Sequence, residues 1–377
     1  MPDDAAPRSA KIPPEALPTT EAGARDWLRL SRSRRVGPAT FIRLLREFGS
    51  APEALKALPG IARRAGVTDY APPPREAIDA EWRAARIVGA LPVLLGAPDY
   101  PALLATIADP APFLWALGDL ALGQRKIVAV VGARNASALG CRMAGRLARE
   151  LGASGLVVAS GLARGIDAAA HEAALPTGTI AALAGGLDQI YPPENAALAA
   201  RIAATGLLLS EMPFDHAPRA QDFPRRNRIV SGLALGVVIV EGAERSGSLI
   251  TARNALDQGR EVMAVPGNPL DARAGGCNAL IRDGATLIRS AADVAEALAE
   301  SLVAVARTPA PVLRAQPAPE GLPGRLLDLL GPAPVAEDLL TRETGASSAA
   351  VAAALLELEL SGHVLRHPGG LLSRPPA

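Results

Sequence analysis

From about Leu91 to Ile288 the chain alternates short apolar runs with helical stretches, and this alternation restricts the fold more than any other feature. The runs cover 92–95, 113–117, 127–131, 156–159, 179–184, 207–209, 237–240, 262–265 and 286–288. Helical patterns cover 138–151, 166–175, 195–204, 249–258 and 278–283. Runs that are apolar throughout form strands buried on both faces. Strands separated by single helices build a parallel, doubly wound α/β sheet. Such sheets bind ligands outside the carboxyl ends of their strands. The residues that follow each strand are therefore the candidate site.

The flanking segments follow other patterns. Residues 1–20 carry Pro2, Pro7, Pro13, Pro14 and Pro18 and read as a disordered tail. Residues 21–90 form a small all-α domain, with Trp27, Leu28 and Leu30, then Phe41, Ile42, Leu44, Leu45 and Phe48, at helical spacing. Between these clusters, Arg34 to Thr40 resembles a degenerate helix-hairpin-helix turn with one glycine, Gly37, of the usual pair. A small bundle that binds nothing would carry the same letters. Pro72-Pro73-Pro74 marks a break, and 81–88 reads as a further helix. Residues 301–320, with Pro309, Pro311, Pro317 and Pro319, read as a linker.

In 321–377, helical patterns over 325–330, 335–344 and 347–361 precede a hairpin over 364–373, the order of a winged helix. The third of these helices has no arginine or lysine and carries Glu357 and Glu359. From Leu322 onward four arginines face six acids. Phosphate contacts need positive charge, so this module is expected to bind protein or to be structural.

Composition narrows the function. The formal charge of the 377 residues is +1, which excludes bulk electrostatic binding of nucleic acid but leaves room for a local patch. Cys141 and Cys277 stand in no CxxC or zinc spacing, as expected of reduced thiols in a cytoplasmic protein. The N-terminus has no apolar core of a signal peptide, and no uncharged run reaches the roughly 18 residues of a membrane span.

The strand ends carry glycines, hydroxyls and arginines. Gly132-Ala133-Arg134 follows 127–131, and Ser160-Gly161-Leu162-Ala163-Arg164-Gly165-Ile166-Asp167 follows 156–159. Neither is a Walker loop or GxGxxG, so no nicotinamide cofactor is expected. Asp167 and His171 are four apart on one helix. They could form an acid/base pair, or Asp167 could serve the helix start while His171 bonds locally. Metal spacing is absent. Ser246, Ser248 and Thr251 open a helix and could bind phosphate or cap it. No nucleophile stands beside a base at a strand end, so the face reads as one for binding rather than catalysis.

Gln221 to Arg228 is the most unusual run. From Arg219 to Arg228 there are four arginines and one aspartate beside Phe223, in a chain with 3% aromatic residues. A ring that stacks on a base beside guanidinium groups that pair phosphates suits single-stranded nucleic acid. An exposed helix start with solvated arginines would look the same.

Several blocks in order resemble the DNA-processing protein A (DprA/Smf) family: Gly132-Ala133-Arg134; Ser160 to Asp167; Gly186-Leu187-Asp188 with Tyr191-Pro192; Phe223 to Gly232; Ser246 to Ala252; and Gly259 to Gly267. The resemblance covers about Leu91 to Val294. It implies an extended Rossmann-like domain over 91–300 that binds single-stranded DNA, forms a homodimer and delivers the recombinase RecA in natural transformation. It further implies that Arg134, Phe223, Arg226 and Arg228 line the DNA pocket. Gly132, Ser160, Gly161 and Gly165 let backbone approach the strand, and Arg164, Asn227, Ser246 and Ser248 complete the site. Some relatives carry a lysine just before the phenylalanine, where this chain has Arg219 nearby.

Two rivals remain at this point. A nucleotide phosphoribohydrolase of the same layout would need a strand-end glutamate, and Glu211 and Glu241 are the candidates. A pure scaffold would use the terminal modules alone.

Overall fold

The computed structural model describes residues 12–64, 67–299, 321–331, 334–360, 363–367 and 371–374. Helix α1 (Glu21–Ser31) starts at Thr20, whose hydroxyl accepts the Gly23 N–H at 3.2 Å. Helix α2 (Pro38–Phe48) opens on a proline and ends at Gly49, whose φ of 74° few other residues adopt. Helices α3 (Ala51–Arg64) and α4 (Arg75–Val88) follow. Helix α3 was not expected, because Pro59 sits inside it.

These helices share one core with the sheet: Trp27, Phe41 and Leu45 pack in the same cluster as Phe113 and Trp115. The Trp27 indole N–H donates to the Pro112 carbonyl at 2.8 Å, and the Trp115 indole donates to Glu81 at 2.7 Å. The helical segment and the sheet thus form one compact unit. Residues 12–20, expected in a disordered tail, lie partly against this core. Ile12 and Ala16 are buried, and Ile12 packs on Gly96. A few apolar anchors outweigh the proline content there.

The strands are β1 (Leu91–Leu94), β2 (Phe113–Gly118), β3 (Ile127–Val131), β4 (Val157–Ser160), β5 (Thr179–Leu183), β6 (Leu207–Ser210), β7 (Gly236–Ile239), β8 (Glu261–Ala264) and β9 (Thr286–Leu287). They form one sheet in the order β1-β2-β6-β5-β4-β3-β7-β8-β9. From β6 to β9 every neighbouring pair is parallel. However, β2 runs antiparallel to β6, and β1 antiparallel to β2. The sequence did not reveal this reversal, since apolar runs carry no strand direction.

The connecting helices are α5 (Ala138–Ala153), α6 (Ile166–Ala174), α7 (Ala196–Thr205), α8 (Asp222–Leu233), α9 (Ser248–Asp257), α10 (Gly275–Arg282) and α11 (Ala291–Ala297). Alternate residues of β3 serve opposite layers. Val128 and Val130 pack with Leu147 and Leu151 of α5, whereas Ile127, Ala129 and Val131 join the cluster of Ile229 and Leu233 from α8. From β3 the chain winds outward through β4, β5 and β6, then returns to place β7 on the other side of β3. The switch point therefore lies beside β3, where such sheets bind ligands.

The second unit is separate. Helices α12 (Leu322–Leu329), α13 (Glu337–Thr344) and α14 (Ser348–Leu360) accompany β10 (Val335–Ala336), β11 (Leu365–His367) and β12 (Leu371–Ser373). The strands pair in the order β10-β12-β11, and Leu326, Leu340, Val351, Leu355 and Leu372 form the core. This is a winged helix. Val335 and Ala336, expected to start a helix, instead pair with Leu372 and Leu371. The expected linker 301–320 lies outside the described residues.

Candidate nucleic-acid interface

At the switch point the carboxyl ends of β3 and β4, the loop after β7 and the starts of α8 and α9 enclose a cavity of about 920 Å³. Helix α8 builds one wall. Phe223, Arg226, Asn227 and Val230 line the cavity, at the spacing of a single helical face.

Phe223 is half-buried. The Arg134 guanidinium carbon stands 4.6 Å from its ring centroid, and the Tyr191 ring lies 5.6 Å away at 59°. Arg134 is exposed and forms no ion pair among the described residues. It sits on the turn after β3, which brings its charge to the strand end. This pair combines a stacking surface with a free cation.

Arg226 is 6% exposed. Its Nη1 donates to the carbonyls of Gly161 and, at 2.7 Å, Ala182, and its Nε donates to Asn227 Oδ1 at 3.2 Å. Burial pulls its pKa down to about 10, opposed by nearby Asp167. It therefore stays charged near neutral pH, a fixed positive group in the cavity floor. Gly161 is required beneath it, because an added Cβ would overlap the guanidinium.

Asp167 accepts the N–H groups of Gly161 at 3.1 Å and Ala163 at 3.3 Å, and burial raises its pKa. His171 does not pair with it. Its Nδ1 lies 2.8 Å from Thr179 Oγ1, and that hydroxyl donates to Val158 O at 2.7 Å. The imidazole is therefore the donor, in its neutral form, and burial pushes its pKa down to about 3. Of the two readings of this pair, the structure favours the local one.

Arg228 is placed differently from the expectation that it lines the pocket. It is 8% exposed and bidentate to Glu211 at 2.8 and 2.7 Å. It also reaches the Asp109 carbonyl at 2.8 Å and the Asp109 carboxylate at 3.3 Å. Residues two apart on a helix do not share a face, so Arg226 and Arg228 cannot both point into the cavity.

Ser160 is also inside the protein, donating to Val130 O at 2.7 Å within the sheet. Arg219 is exposed, and its backbone N–H donates to Asp222 at 2.8 Å. Its neighbours Pro218 and Ala220 line the cavity, but it does not. Arg164 pairs with Glu194 at 3.2 Å beside a small recess that Arg134 and Tyr191 share. Gly132, Ser246 and Ser248 line the main cavity, and Gly165, at φ 73°, begins α6. The two serine hydroxyls are 2.8 Å apart. Asn227 Nδ2 donates to Gly247 O at 3.4 Å, linking α8 to that turn.

Sequence reasoning missed Tyr191 as a cavity residue, although its block had been noticed. It also missed Arg245, which stands singly just before the Ser246-Gly247-Ser248 turn and gives no pattern. The two strand-end glutamates are engaged: Glu211 holds Arg228, and Glu241 accepts the Ser137 N–H at 2.8 Å. Among the described residues no group of three His, Cys, Asp or Glu could hold a metal, and no helix is long and apolar enough to cross a membrane.

Fold and cavity define a Rossmann-like protein with an aromatic–arginine cleft at its switch point. The chain belongs to the DNA recombination-mediator protein A family, whose profile matches residues 92–299. The flanks match the DprA-like N-terminal HHH domain over 21–84 and the DprA winged helix domain over 308–370. The DNA processing protein DprA of Bacillus subtilis is 46% identical over 209 residues, covering 55% of this chain and 70% of that protein. Protein Smf of Escherichia coli is 41% identical over 280 residues, covering 72% and 73%. The X-ray structure of DprA from Streptococcus pneumoniae superposes with a TM-score of 0.62 at 33% identity, covering 72% of this chain and 97% of that one. DprA from Helicobacter pylori, whose structure is described as revealing a single-stranded DNA binding mode, gives 0.52 at 31% identity, covering 56% and 96%.

Two predictions follow from the buried groups. Arg228→Leu leaves Glu211 with only the long 3.7 Å ion pair to exposed Arg225 and should cost about 3 kcal/mol in urea unfolding; an unchanged midpoint would remove Arg228 from its structural role. His171 acts in the same pH sense as a carboxylate in a salt bridge, because its pKa is also lowered by folding. Its folded pKa of about 3 lies below the ordinary 6.5, so between these values the unfolded chain binds a proton the folded chain refuses. Stability is therefore lost as pH falls through that window, with a slope approaching about 1.4 kcal/mol per pH unit. His171→Asn should flatten the acid limb of unfolding midpoint against pH by up to one proton; superimposable limbs would contradict this.

Proposed function

We propose that this chain binds single-stranded DNA in the cavity at the carboxyl ends of its sheet, without catalysing a reaction on it. The observation that carries this reading is the pairing of half-buried Phe223 with Arg134, whose guanidinium is 4.6 Å from the ring centroid and free of any ion pair among the described residues. A base stacks on the ring, and Arg134 and the fixed charge of Arg226 attract the backbone. Nothing in this arrangement reads a base edge, so binding is sequence-tolerant. The Helicobacter pylori relative's described single-stranded DNA binding supports the reading.

The proposal extends to biology along the lines the family resemblance implies. The protein acts as a homodimer that protects incoming DNA and loads the recombinase RecA in natural transformation. The winged helix, with its acid-rich sequence, serves protein contacts or structure. The phosphoribohydrolase reading is disfavoured because Glu211 and Glu241 are both held by other groups.

Fluorescent oligo-dT binding to the full chain over a salt series tests this. Phe223→Ala should weaken single-strand binding by about 1–3 kcal/mol. Arg134→Ala should reduce the slope of log affinity against log salt by about 0.7. Both variants should retain the unfolding midpoint. Binding indifferent to both changes would overturn the reading, and release of free base from nucleoside monophosphates would favour the enzyme.

A further inference from the structure

Helices α5 and α9 both begin at the carboxyl edge of the sheet, where free N–H groups and the helix dipole favour an anion. The structure treats the two starts differently. At α5 the place is taken by the chain's own carboxylate. Glu241 accepts the Ser137 N–H at 2.8 Å and the Ser137 hydroxyl proton, and that hydroxyl accepts the Gly140 N–H at 2.9 Å. Gly140 makes the room, because an added Cβ would overlap the Glu241 carboxylate.

At α9 no carboxylate is hydrogen-bonded in the corresponding place among the described residues. Thr251 is 3% exposed and lines the cavity, yet its hydroxyl makes no hydrogen bond among the described residues. The hydroxyl of this otherwise buried residue opens onto the cavity, where a ligand oxygen can accept its proton. Arg245 lines the same cavity, is exposed, and has no ion pair among the described residues. Asn227 ties the turn before α9 to α8, the helix that carries Phe223.

We propose that the start of α9, with the Thr251 hydroxyl and the Arg245 guanidinium, is a phosphodiester subsite for the nucleotide next to the one stacked on Phe223. This rests on the reading that the cavity holds single-stranded DNA. Thr251 donates to a non-bridging phosphate oxygen, and Arg245 neutralises the charge from the rim. Glu241 keeps the same phosphate from α5, so the strand has one register across the cavity.

Fluorescent oligo-dT, with normal or methylphosphonate linkages, is titrated into the full chain and into Thr251→Val, Thr251→Ser, Arg245→Gln and Phe223→Ala. Thr251→Val should weaken binding about 3- to 10-fold with an unchanged salt slope, as for one lost hydrogen bond. Thr251→Ser, which keeps the hydroxyl, should bind like wild type. Arg245→Gln should lower the salt slope by about 0.7. With the neutral backbone the Arg245 effect should vanish, whereas the Thr251 effect should persist in part, because a methylphosphonate keeps one non-bridging oxygen as acceptor. Should Thr251→Val fold poorly, exposed Arg245 and the neutral backbone still decide. If Phe223→Ala weakens binding while Thr251→Val and Arg245→Gln match wild type, the subsite is overturned and the DNA reading stands. If wild type fails to bind oligo-dT, both fall.

Discussion

The arrangement depends on Arg226, an arginine inside the protein that bonds to backbone carbonyls. One guanidinium nitrogen joins Gly161, just past β4, to Ala182 of β5, and thereby fixes α8 across the ends of two strands. Burying that charge is expensive, and its lowered pKa records the expense. Two carbonyls, the side chain of Asn227 and the nearby Asp167 compensate. With Arg226 as the fixed point, Phe223 one turn earlier is set at the cavity wall. A lysine, with one nitrogen, could not make the separate Nε bond to Asn227 as well.

A second network holds the back of the same helix. Arg228 grips Glu211, whose own carbonyl accepts Arg32, just past α1, at 2.8 Å; Arg32 also pairs with Glu81 of α4 at 2.8 Å. The helical domain is thus joined to α8 by charge pairs as well as by the shared core of Trp27 and Trp115. One run of four arginines has therefore been divided between tasks. Arg226 and Arg228 build the protein, and Arg134 from another strand end supplies the unpaired charge. Such a division reconciles a near-neutral chain with the proposed nucleic-acid site.

The alternation of apolar runs made the sheet and its ligand edge legible, and Phe223, Arg134 and Gly161 lie at the cavity the strand ends pointed to. Three things were hidden, each for a physical reason. Strand direction leaves no periodic trace, so the reversal of β1 and β2 was invisible. Helix α8 has charged residues on its buried side, which makes its sequence resemble a solvated surface; the fate of Arg228 followed from that. Ser160 looked like a phosphate ligand because it ends a strand, but its hydroxyl spends its proton on Val130 in the neighbouring strand. Helix α3 was concealed by Pro59.

Photo-crosslinking places the DNA most directly. Oligo-dT carrying 5-iodo-deoxyuridine is bound to the full chain, irradiated, and the attached peptides are identified by mass spectrometry. The account places the attached base on Phe223 or its ring neighbour Tyr191. Attachment confined to the N-terminal helices or to the winged helix, with neither aromatic residue modified, would contradict it.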